Sequence, residues 1–201
     1  MRKCLAYLLL LMAIFSLTAC FKPVKTPPVK TYTLSAESLL QATRKSKGHG
    51  VLFVAPPSAS PGYDTEAMIY TNTPYQLLHF SAHAWVAPPA QMLTPLLVAD
   101  WQNTGCFRAV VGSASSGTAD VTVNTQLLAL QQEFDQNTSR VRMAIQITLI
   151  DNSSGEIAAS RRYEAIVPAA PNPYGGVIAA NRATREILNK TNHFICNYAK
   201  H

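Results

Sequence analysis

Alternation of apolar and polar residues predicts a β-hairpin in the second half of the chain. Every second residue is apolar along one segment, at Val141, Met143, Ile145, Ile147 and Leu149. Successive side chains of a strand point to opposite faces, so this pattern is typical of a strand that is buried on one face. A polar loop at residues 151–155 follows, and Ile157 to Val167 is predicted to be the returning strand.

Shorter apolar runs predict the remaining strands. A longer alternating pattern covers residues 121–127, where Val121, Val123, Thr125 and Leu127 share one face. Four short segments, bounded by proline, glycine or polar residues, have the composition of strands. They are Thr31 to Leu34, Val51 to Val54, Met68 to Thr71 and Gln76 to Phe80.

Two segments with helical spacing complete the set of predicted elements. Pro88 and Pro89 suit the first turn of a helix, and Gly105 suits its C-terminal cap. Pro95 would kink this helix or mark a restart. Apolar residues also recur at helical spacing from residue 176 to 198, which predicts a long amphipathic helix. The elements predict a single α+β domain, in which two main helices pack on one face of a largely antiparallel or mixed sheet.

The N-terminus has the pattern of a secretory signal. Arg2 and Lys3 precede an apolar stretch, Leu5 to Phe15, which is too short to span a bilayer comfortably. The next residues, Leu17-Thr18-Ala19-Cys20, resemble a bacterial lipobox, whose cysteine is lipidated and becomes the first mature residue. We therefore predict lipidation at Cys20. An uncleaved or simply secreted signal segment is the alternative.

This signal divides the chain into three predicted parts. Residues 1–19 are the signal peptide, residues 20–30 form a proline-rich lipidated tether, and residues 31–201 form the periplasmic domain. The several acyl chains of a lipoprotein make such an attachment effectively permanent. Phe21 stands where an aspartate would direct retention in the inner membrane, which favours the periplasmic face of the outer membrane.

The charge balance excludes one class of partner. The chain has 17 Lys and Arg residues against 11 Asp and Glu residues, and Arg2 and Lys3 leave with the predicted signal. The remaining basic excess is mild, which is not the footprint of a protein that binds nucleic acid. Lys22, Lys25 and Lys30 lie near the anchored end, where they either contact anionic lipid or only keep the tether soluble.

Two cysteines remain for the periplasmic domain. Cys4 lies in the signal and Cys20 carries the lipid, which leaves Cys106 and Cys196 in an oxidising compartment. These two residues form one disulfide or stay as two buried thiols, because sequence spacing does not establish the required approach of the Cα atoms. The pair offers too few ligands for a metal site.

Catalytic and metal-binding patterns are weak in this sequence. His79 and His83 are four residues apart, but the surrounding pattern predicts a strand, on which such residues stand about 13 Å apart. Ser81, His83 and Asp120 lack the Gly-x-Ser-x-Gly turn that presents a hydrolase nucleophile. The sequence therefore predicts no enzyme activity, no cofactor and no metal.

Two further features of the sequence offer groups that bind phosphate in other proteins. Arg161 and Arg162 could hold a lipid phosphate, but they lie on opposite faces of a predicted strand and cannot act together. Gly175 and Gly176 stand before the predicted C-terminal helix, whereas phosphate-binding loops need more glycines and a lysine. Their simpler role is to free the backbone at the turn into the helix.

An ordered set of motifs spans nearly all of the predicted mature chain. The motifs are Tyr32-Thr33-Leu34, Pro61-Gly62-Tyr63-Asp64-Thr65, Met68-Ile69-Tyr70, Trp85 before Pro88-Pro89-Ala90-Gln91-Met92-Leu93, and Ile157-Ala158-Ala159-Ser160-Arg161 followed by Tyr163 and Ala165. In this order they resemble the ABC-type transport auxiliary lipoproteins, the PqiC-like family. The predicted lipobox agrees with this resemblance.

The resemblance implies a role without catalysis. Members are outer-membrane partners of transport systems that combine an inner-membrane ATPase and permease with mammalian-cell-entry (MCE) domain proteins in the periplasm. Those systems move lipids or other hydrophobic compounds and support envelope integrity. This chain would dock a periplasmic MCE-domain protein and tie it to the outer membrane through its lipid anchor. The sequence leaves open whether the chain also forms a homo-oligomer.

Aromatic residues of the motifs are the candidates for partner binding. Tyr63, Tyr70 and Trp85 are of the type enriched at interface centres, and Asp64 lies in the same turn as Tyr63. Tyr70 and Trp85 have the alternative role of filling the core between helix and sheet. Two competing functions stay open: a lipid-binding carrier with an apolar pocket between helix and sheet, and a periplasmic hydrolase.

Overall fold

The computed structural model describes residues 28–35, 48–112 and 119–199. The predicted signal, the predicted lipidation site at Cys20 and most of the predicted tether lie outside the described residues. The described elements follow in this order: β1 Lys30–Tyr32, β2 Val51–Val54, β3 Ser58–Ala59, β4 Ala67–Thr71, β5 Leu78–Trp85, α1 Pro89–Thr104, β6 Ala109–Val111, β7 Val121–Asp135, β8 Thr138–Asp151, β9 Ile157–Ala169 and α2 Pro173–Tyr198.

Strand β7 is the centre of the sheet. One of its edges pairs along the whole strand with β8 in antiparallel orientation, and β9 continues antiparallel beyond β8. The other edge is shared by β2, β3 and β4, which pair with β7 in parallel and in succession. Strand β6 lies beyond β2, while β5 and then β1 lie beyond β4. The result is one mixed sheet in a single α+β domain, as predicted.

The helices pack side by side against the sheet. Helix α1 packs on β2, β6 and β7, and α2 packs on β8 and β9. The indole Nε1 of Trp101 in α1 donates to the Thr191 hydroxyl in α2 at 3.1 Å, deep in the interface. The alternating apolar residues of the strands supply the other half of the core. Fully buried side chains include Leu52, Val54, Leu97, Trp101, Leu127, Met143, Ile145, Ile147, Leu149, Ile187, Leu188 and Ile195.

Helix α1 matches its predicted ends and runs through its internal proline. Pro89 occupies the first turn, and Gly105 adopts the left-handed conformation at φ 69° that caps the C-terminus. Pro95 lies on the exposed side of the helix. Water can therefore satisfy the carbonyl group that the missing proline N–H leaves unpaired, and the helix continues without a restart.

Helix α2 begins three residues before the predicted start at residue 176. Asn172 is its N-cap and accepts a hydrogen bond from the Gly175 N–H at 2.8 Å. The prediction that Gly175 and Gly176 form a loop before the helix is therefore wrong, because both lie in its first turn. A Cβ on Gly175 would overlap the Ala170 carbonyl, and one on Gly176 would overlap the Gln132 side chain. The glycines allow the helix to approach the sheet closely.

A disulfide joins the C-terminal ends of the two helices. Cys106, which follows the cap of α1, is bonded to Cys196 in the last turns of α2, and their Cα atoms are 5.3 Å apart. The two residues are separated by 90 positions in sequence. The bond thus closes a loop that contains β6 to β9 and most of α2. Such a cross-link limits the conformational freedom of the unfolded chain.

Strand β9 forms a protected edge of the sheet. The ammonium group of Lys190 in α2 donates to the Glu164 carbonyl oxygen at 2.9 Å, so this carbonyl points away from β8. Alternate residues of a strand direct their backbone groups to the same side, which places Pro168 at another outward position. Pro168 has no N–H to offer there. Lysine and proline at an edge hinder pairing with another strand.

Candidate docking surface

The face of the sheet opposite the helices carries a charged network across its three long strands. Arg142 of β8 lies at its centre. Its Nε contacts Glu164 of β9 at 2.5 Å, and its terminal nitrogen lies 4.0 Å from Glu133 of β7. Arg140 binds the other Glu133 oxygen at 2.8 Å, and Arg162 lies 3.7 Å from Glu164. Three guanidinium groups thus share two carboxylates on a surface that water reaches.

The ionisation of this network follows from its geometry. The hydrogen bond from Arg142 holds the pKa of Glu164 below its usual value. The same contact raises the pKa of Arg142. Both groups therefore keep their charges, and the face presents a fixed pattern of positive and negative groups to a partner.

Tyr63 extends this network from a loop. Gly62 adopts φ 90°, a conformation that suits glycine, and the Tyr63 N–H bonds the Ser60 carbonyl at 3.0 Å to form a turn. The Tyr63 hydroxyl then donates to Gln131 of β7, whose amide group donates to Glu133 at 3.0 Å. Burial raises the pKa of the Tyr63 phenol, an effect that Arg142 opposes. The hydroxyl therefore stays protonated and acts as a donor.

A hairpin tip forms the wall beside Tyr63. Residues 72–77 connect β4 to β5, and Tyr75 adopts φ 66° there, with its side chain fully exposed. Leu77 is also exposed. Between this tip, Tyr63 and the network lies an open groove of about 540 Å³. Exposed aromatic and aliphatic side chains beside charged groups are typical of a protein interface. We call Tyr63, Tyr75, Leu77, Gln131, Glu133 and Arg142 the docking surface.

The predicted partner-binding residues separate into two places. Tyr63 lies in the docking surface, and Asp64 is exposed in the same turn. Tyr70 instead stacks on Phe80 at 4.6 Å between ring centroids. Trp85 is only 4% exposed and belongs to the core cluster, which agrees with the alternative role predicted for it, that of filling the core. Trp85 is the last residue of β5, at the point where the chain turns toward α1.

Sequence reasoning missed much of the docking surface. The alternation that identified β8 also placed Arg142 on its polar face, but nothing local linked it to Glu133, Glu164 or Tyr63. Strand β5 was predicted to begin at residue 76, whereas it begins at Leu78 and runs to Trp85. The signal that could have located the tip is the turn-forming run Asn72-Thr73-Pro74.

Two of the candidate catalytic residues, His83 and Asp120, form hydrogen bonds within the fold. His79 and His83 both lie on β5, which continues beyond the predicted end of this strand at Phe80. The Nδ1 atom of His83 is 3.1 Å from the Tyr32 hydroxyl. Asp120 accepts a hydrogen bond from the backbone N–H of Val51 at 2.7 Å. Over the three described stretches of the chain, no group of three or more His, Cys, Asp or Glu side chains could hold a metal ion.

Arg161 and Arg162 point to opposite faces of β9, as the alternation of the predicted strand required. Arg161 lies over the Phe194 ring of α2, 5.5 Å from its centroid. Arg162 faces the charged network instead, near Glu164. The alternation predicted from sequence is confirmed by the register of β9 against β8. Within residues 28–35, 48–112 and 119–199, no helix combines the length and the apolar character needed to cross a membrane.

The fold is similar to solved structures of very different sequence. The protein XCC0632 from Xanthomonas campestris, described as a DUF330 protein, has a TM-score of 0.74 and 17% identity, over 86% of this chain and 97% of that chain. The hypothetical protein CT253 from Chlamydia trachomatis has a TM-score of 0.52 and 11% identity, over 74% and 99% of the two chains. At such low identity these similarities show the fold alone. No curated protein matches the chain in sequence.

A match to one protein family defines the class of this protein, a transport-related and membrane-associated lipoprotein. The family that matches residues 32–190 is the ABC-type transport auxiliary lipoprotein component. This range includes β2 to β9, all of α1 and most of α2. The chain belongs to that family, so the resemblance drawn from the ordered motifs is confirmed. The family is one of auxiliary transport components and not a known enzyme family.

Proposed function

We propose that this chain is a non-enzymatic, lipid-anchored subunit of an envelope transport system, held on the periplasmic face of the outer membrane. It docks the periplasmic MCE-domain protein of a system that moves lipids or other hydrophobic compounds between membranes. The docking role is supported by the exposed groove and the charged network beside it. The docking surface combines an exposed tyrosine and leucine with a rigid pattern of charge on an open sheet face.

The docking surface has the properties that partner recognition requires. The ladder of β7, β8 and β9 fixes the backbone beneath Glu133, Arg142 and Glu164, so little conformational freedom is lost when a partner binds. The charges select a complementary partner and guide its approach. Tyr75 and Leu77 would supply the apolar contact at the rim of the groove.

Anchoring through Cys20 makes a modest affinity sufficient. A lipid anchor confines the domain to a thin layer next to one bilayer, which raises its effective concentration for any partner that arrives there. Phe21 in place of aspartate supports delivery to the outer membrane. The subunit would therefore mark the membrane at which the transport path ends.

Photo-crosslinking in cells tests this proposal. A photoreactive residue replaces Tyr75 or Tyr63 in the intact lipoprotein, and a matched control carries it at Asn189, which is exposed on α2. We expect capture of an MCE-domain protein from positions 75 and 63 but not from 189. Capture from position 189 alone, or from none of the three positions, would contradict the docking role.

The size of one internal cavity weighs against the alternative carrier function. The cavity lined by Met68, Phe80, Trp85, Leu130 and Ala180, between α2 and the sheet, has a volume of about 10 Å³. Such a volume accommodates about one water molecule and no acyl chain. Native mass spectrometry of the delipidated protein checks this alternative, and the absence of a copurifying lipid would count against it. If a lipid does copurify and is retained after Ala180→Trp, its binding site lies outside this cavity.

A further inference from the structure

A row of aromatic rings runs across one end of the helix-covered face of the sheet. Neighbouring ring centroids along it are between 4.6 and 6.3 Å apart. The row starts on α2 and crosses β1, β5 and β4 before it ends on β7. We call it the aromatic band, and its members are Tyr174, Tyr32, His83, Phe80, Tyr70 and Phe134.

The band is only partly covered. Five of its rings are half-buried, and Tyr174 at its end on α2 is 58% exposed. Ile178, one helical turn further along α2, is 41% exposed. Rings and aliphatic side chains that reach the surface at one place form a patch whose burial would be favourable.

This patch lies where the chain enters the folded domain. Strand β1 starts at Lys30 and pairs in parallel with β5, at the edge of the sheet. Tyr32, in the same strand, is a member of the band. Helix α2 holds this edge in place, because Asn181 accepts a hydrogen bond from the Ser35 N–H at 2.6 Å and donates to the Thr33 carbonyl at 3.4 Å. The position of the tether is therefore coupled to the orientation of α2.

We propose that the aromatic band and Ile178 lie on the surface of the bilayer that holds the anchor. This inference rests on the proposed lipidation of Cys20. Tyrosine has an apolar ring and a polar hydroxyl, which suits it to the boundary between acyl chains and headgroups. The edge that bears the band is the one to which the tether connects, so this edge meets the membrane first.

Charged side chains around the patch are consistent with an anionic lipid surface. Lys30 is exposed at the start of β1, and Arg182 and Arg185 are exposed on the following turns of α2. Glu186 is the nearby acid on the helix, and it is paired with Lys190 at 2.7 Å. At the far end of the band Asp135 follows Phe134 and is exposed, so the basic end of the patch is the one on α2.

The tether is short enough to keep the patch near the membrane. The residues between Cys20 and Lys30 would span about 30 Å as an extended proline-rich segment. The tether thus keeps the patch at a high effective concentration next to the bilayer, and weak contacts suffice to orient the domain. The charged residues of the docking surface lie on the opposite face of the sheet, and of the members of the band Phe134 alone also lines the docking groove. The end of the band on α2 is therefore the end placed on the bilayer first.

Site-specific fluorescence quenching in vesicles tests the orientation. The full lipoprotein is reconstituted in vesicles of phosphatidylethanolamine and phosphatidylglycerol that contain a headgroup spin label. A fluorophore is attached at Ile178→Cys or, as the matched control, at Ile157→Cys, which is exposed on β9. We expect severalfold stronger quenching at position 178. Equal quenching at both positions, or stronger quenching at 157, would overturn the proposal.

A second measurement separates the contribution of the patch from that of the tether. With the fluorophore at Arg182→Cys, the double change Tyr174→Ser and Ile178→Ser should lower quenching severalfold. The matched double change Ile157→Ser and Ile166→Ser, also at exposed positions, should leave it unchanged. If neither pair alters quenching, the tether alone holds the helix near the bilayer and the inference fails.

The outcome can be distinguished from a failure of the proposed function. Mass spectrometry of the reconstituted protein reports whether Cys20 carries lipid, and crosslinking from Tyr75 reports partner docking. A lipidated protein that captures its partner but shows no preferential quenching at position 178 overturns the membrane contact alone. A protein without lipid at Cys20 overturns both the anchor and this inference.

Discussion

The Tyr63 hydroxyl donates a hydrogen bond to the Gln131 side chain across 68 residues of sequence, and this contact ties the docking loop to the central strand. Gln131 is buried although it lies on the face of the sheet without helices. The loop that carries Tyr63 covers it. A buried amide needs such a partner, because an unpaired polar group is costly in the folded state.

Removal of the Tyr63 hydroxyl should loosen this loop. We expect Tyr63→Phe to lower the free energy of unfolding by about 1 kcal/mol, since one hydrogen bond to a buried group is lost. Urea denaturation measures the change. Tyr75→Phe is the matched control, because its side chain is fully exposed and its hydroxyl lies in solvent. An unchanged unfolding free energy in Tyr63→Phe would mean that the loop is held by other contacts.

Tyr75 and Trp85 should respond to truncation in opposite ways. Tyr75→Ala should reduce partner capture with little effect on stability, because the exposed ring makes its contacts only in the complex. Trp85→Ala should cost about 3–5 kcal/mol of folding free energy, the usual loss for a large buried aromatic side chain. Urea denaturation and crosslinking yield together check the pair. A large stability loss in Tyr75→Ala would argue against its role as an exposed anchor.

Asp100 should make stability depend on pH in the direction opposite to most carboxylates. This residue of α1 is buried, and burial raises its pKa from the ordinary value of 3.8, an effect that a hydrogen bond from Asn192 opposes. The folded state therefore holds the proton more tightly than the unfolded state. The contribution of Asp100 to stability is fully present below the unfolded pKa and is lost as the pH rises through the folded pKa.

Asp100→Asn tests this pH dependence. The asparagine at position 100 does not titrate. The free energy of unfolding of the natural protein, measured relative to that of the variant, should therefore fall as the pH rises from about 3.8 upward. Urea midpoints measured across the acidic range check the sign. Asp151→Asn is a useful comparison, since backbone and side-chain hydrogen bonds from Ser153 lower the pKa of Asp151 and predict the opposite slope. Parallel slopes for the two variants would contradict the assignment.

Loss of the disulfide should destabilise the domain without changing its docking surface. We expect the double change Cys106→Ser and Cys196→Ser to cost about 2–5 kcal/mol, because the bond closes a long loop in the unfolded chain. Urea denaturation with and without reductant measures the cost. The natural protein under reductant should approach the variant, whereas the variant itself should not respond. Crosslinking from Tyr75 should persist where the variant stays folded.

Local sequence patterns predicted most of the secondary structure. Strand β8, helix α1 and its cap at Gly105 follow from periodicity and from glycine and proline positions, because these depend on neighbouring residues only. The start of α2 was placed too late, since the Asn172 cap lies before an apparent glycine break. Gly175 is explained by Ala170 in the loop before the helix, and Gly176 by Gln132, which approaches from β7.

The docking surface was only partly predictable. Of its members, the sequence identified Tyr63 through the turn that carries it, together with the neighbouring Asp64. Nothing local distinguishes Trp85, which is buried, from Tyr75, which is exposed, because both are aromatic residues beside a turn. Burial depends on which elements pack above a strand, and that is a property of the whole fold.

The sequence by itself determined the elements of this protein, its α+β class and its membership in the auxiliary lipoprotein family, because these depend on local periodicity and on the order of motifs along the chain. Only the tertiary structure decided that β2, β3 and β4 share one edge of β7, that Arg142 meets Glu133 and Glu164, and that Tyr32 and Tyr174 join one aromatic band. These contacts join residues far apart in sequence, so their partners are fixed by strand pairing and packing and leave no local pattern.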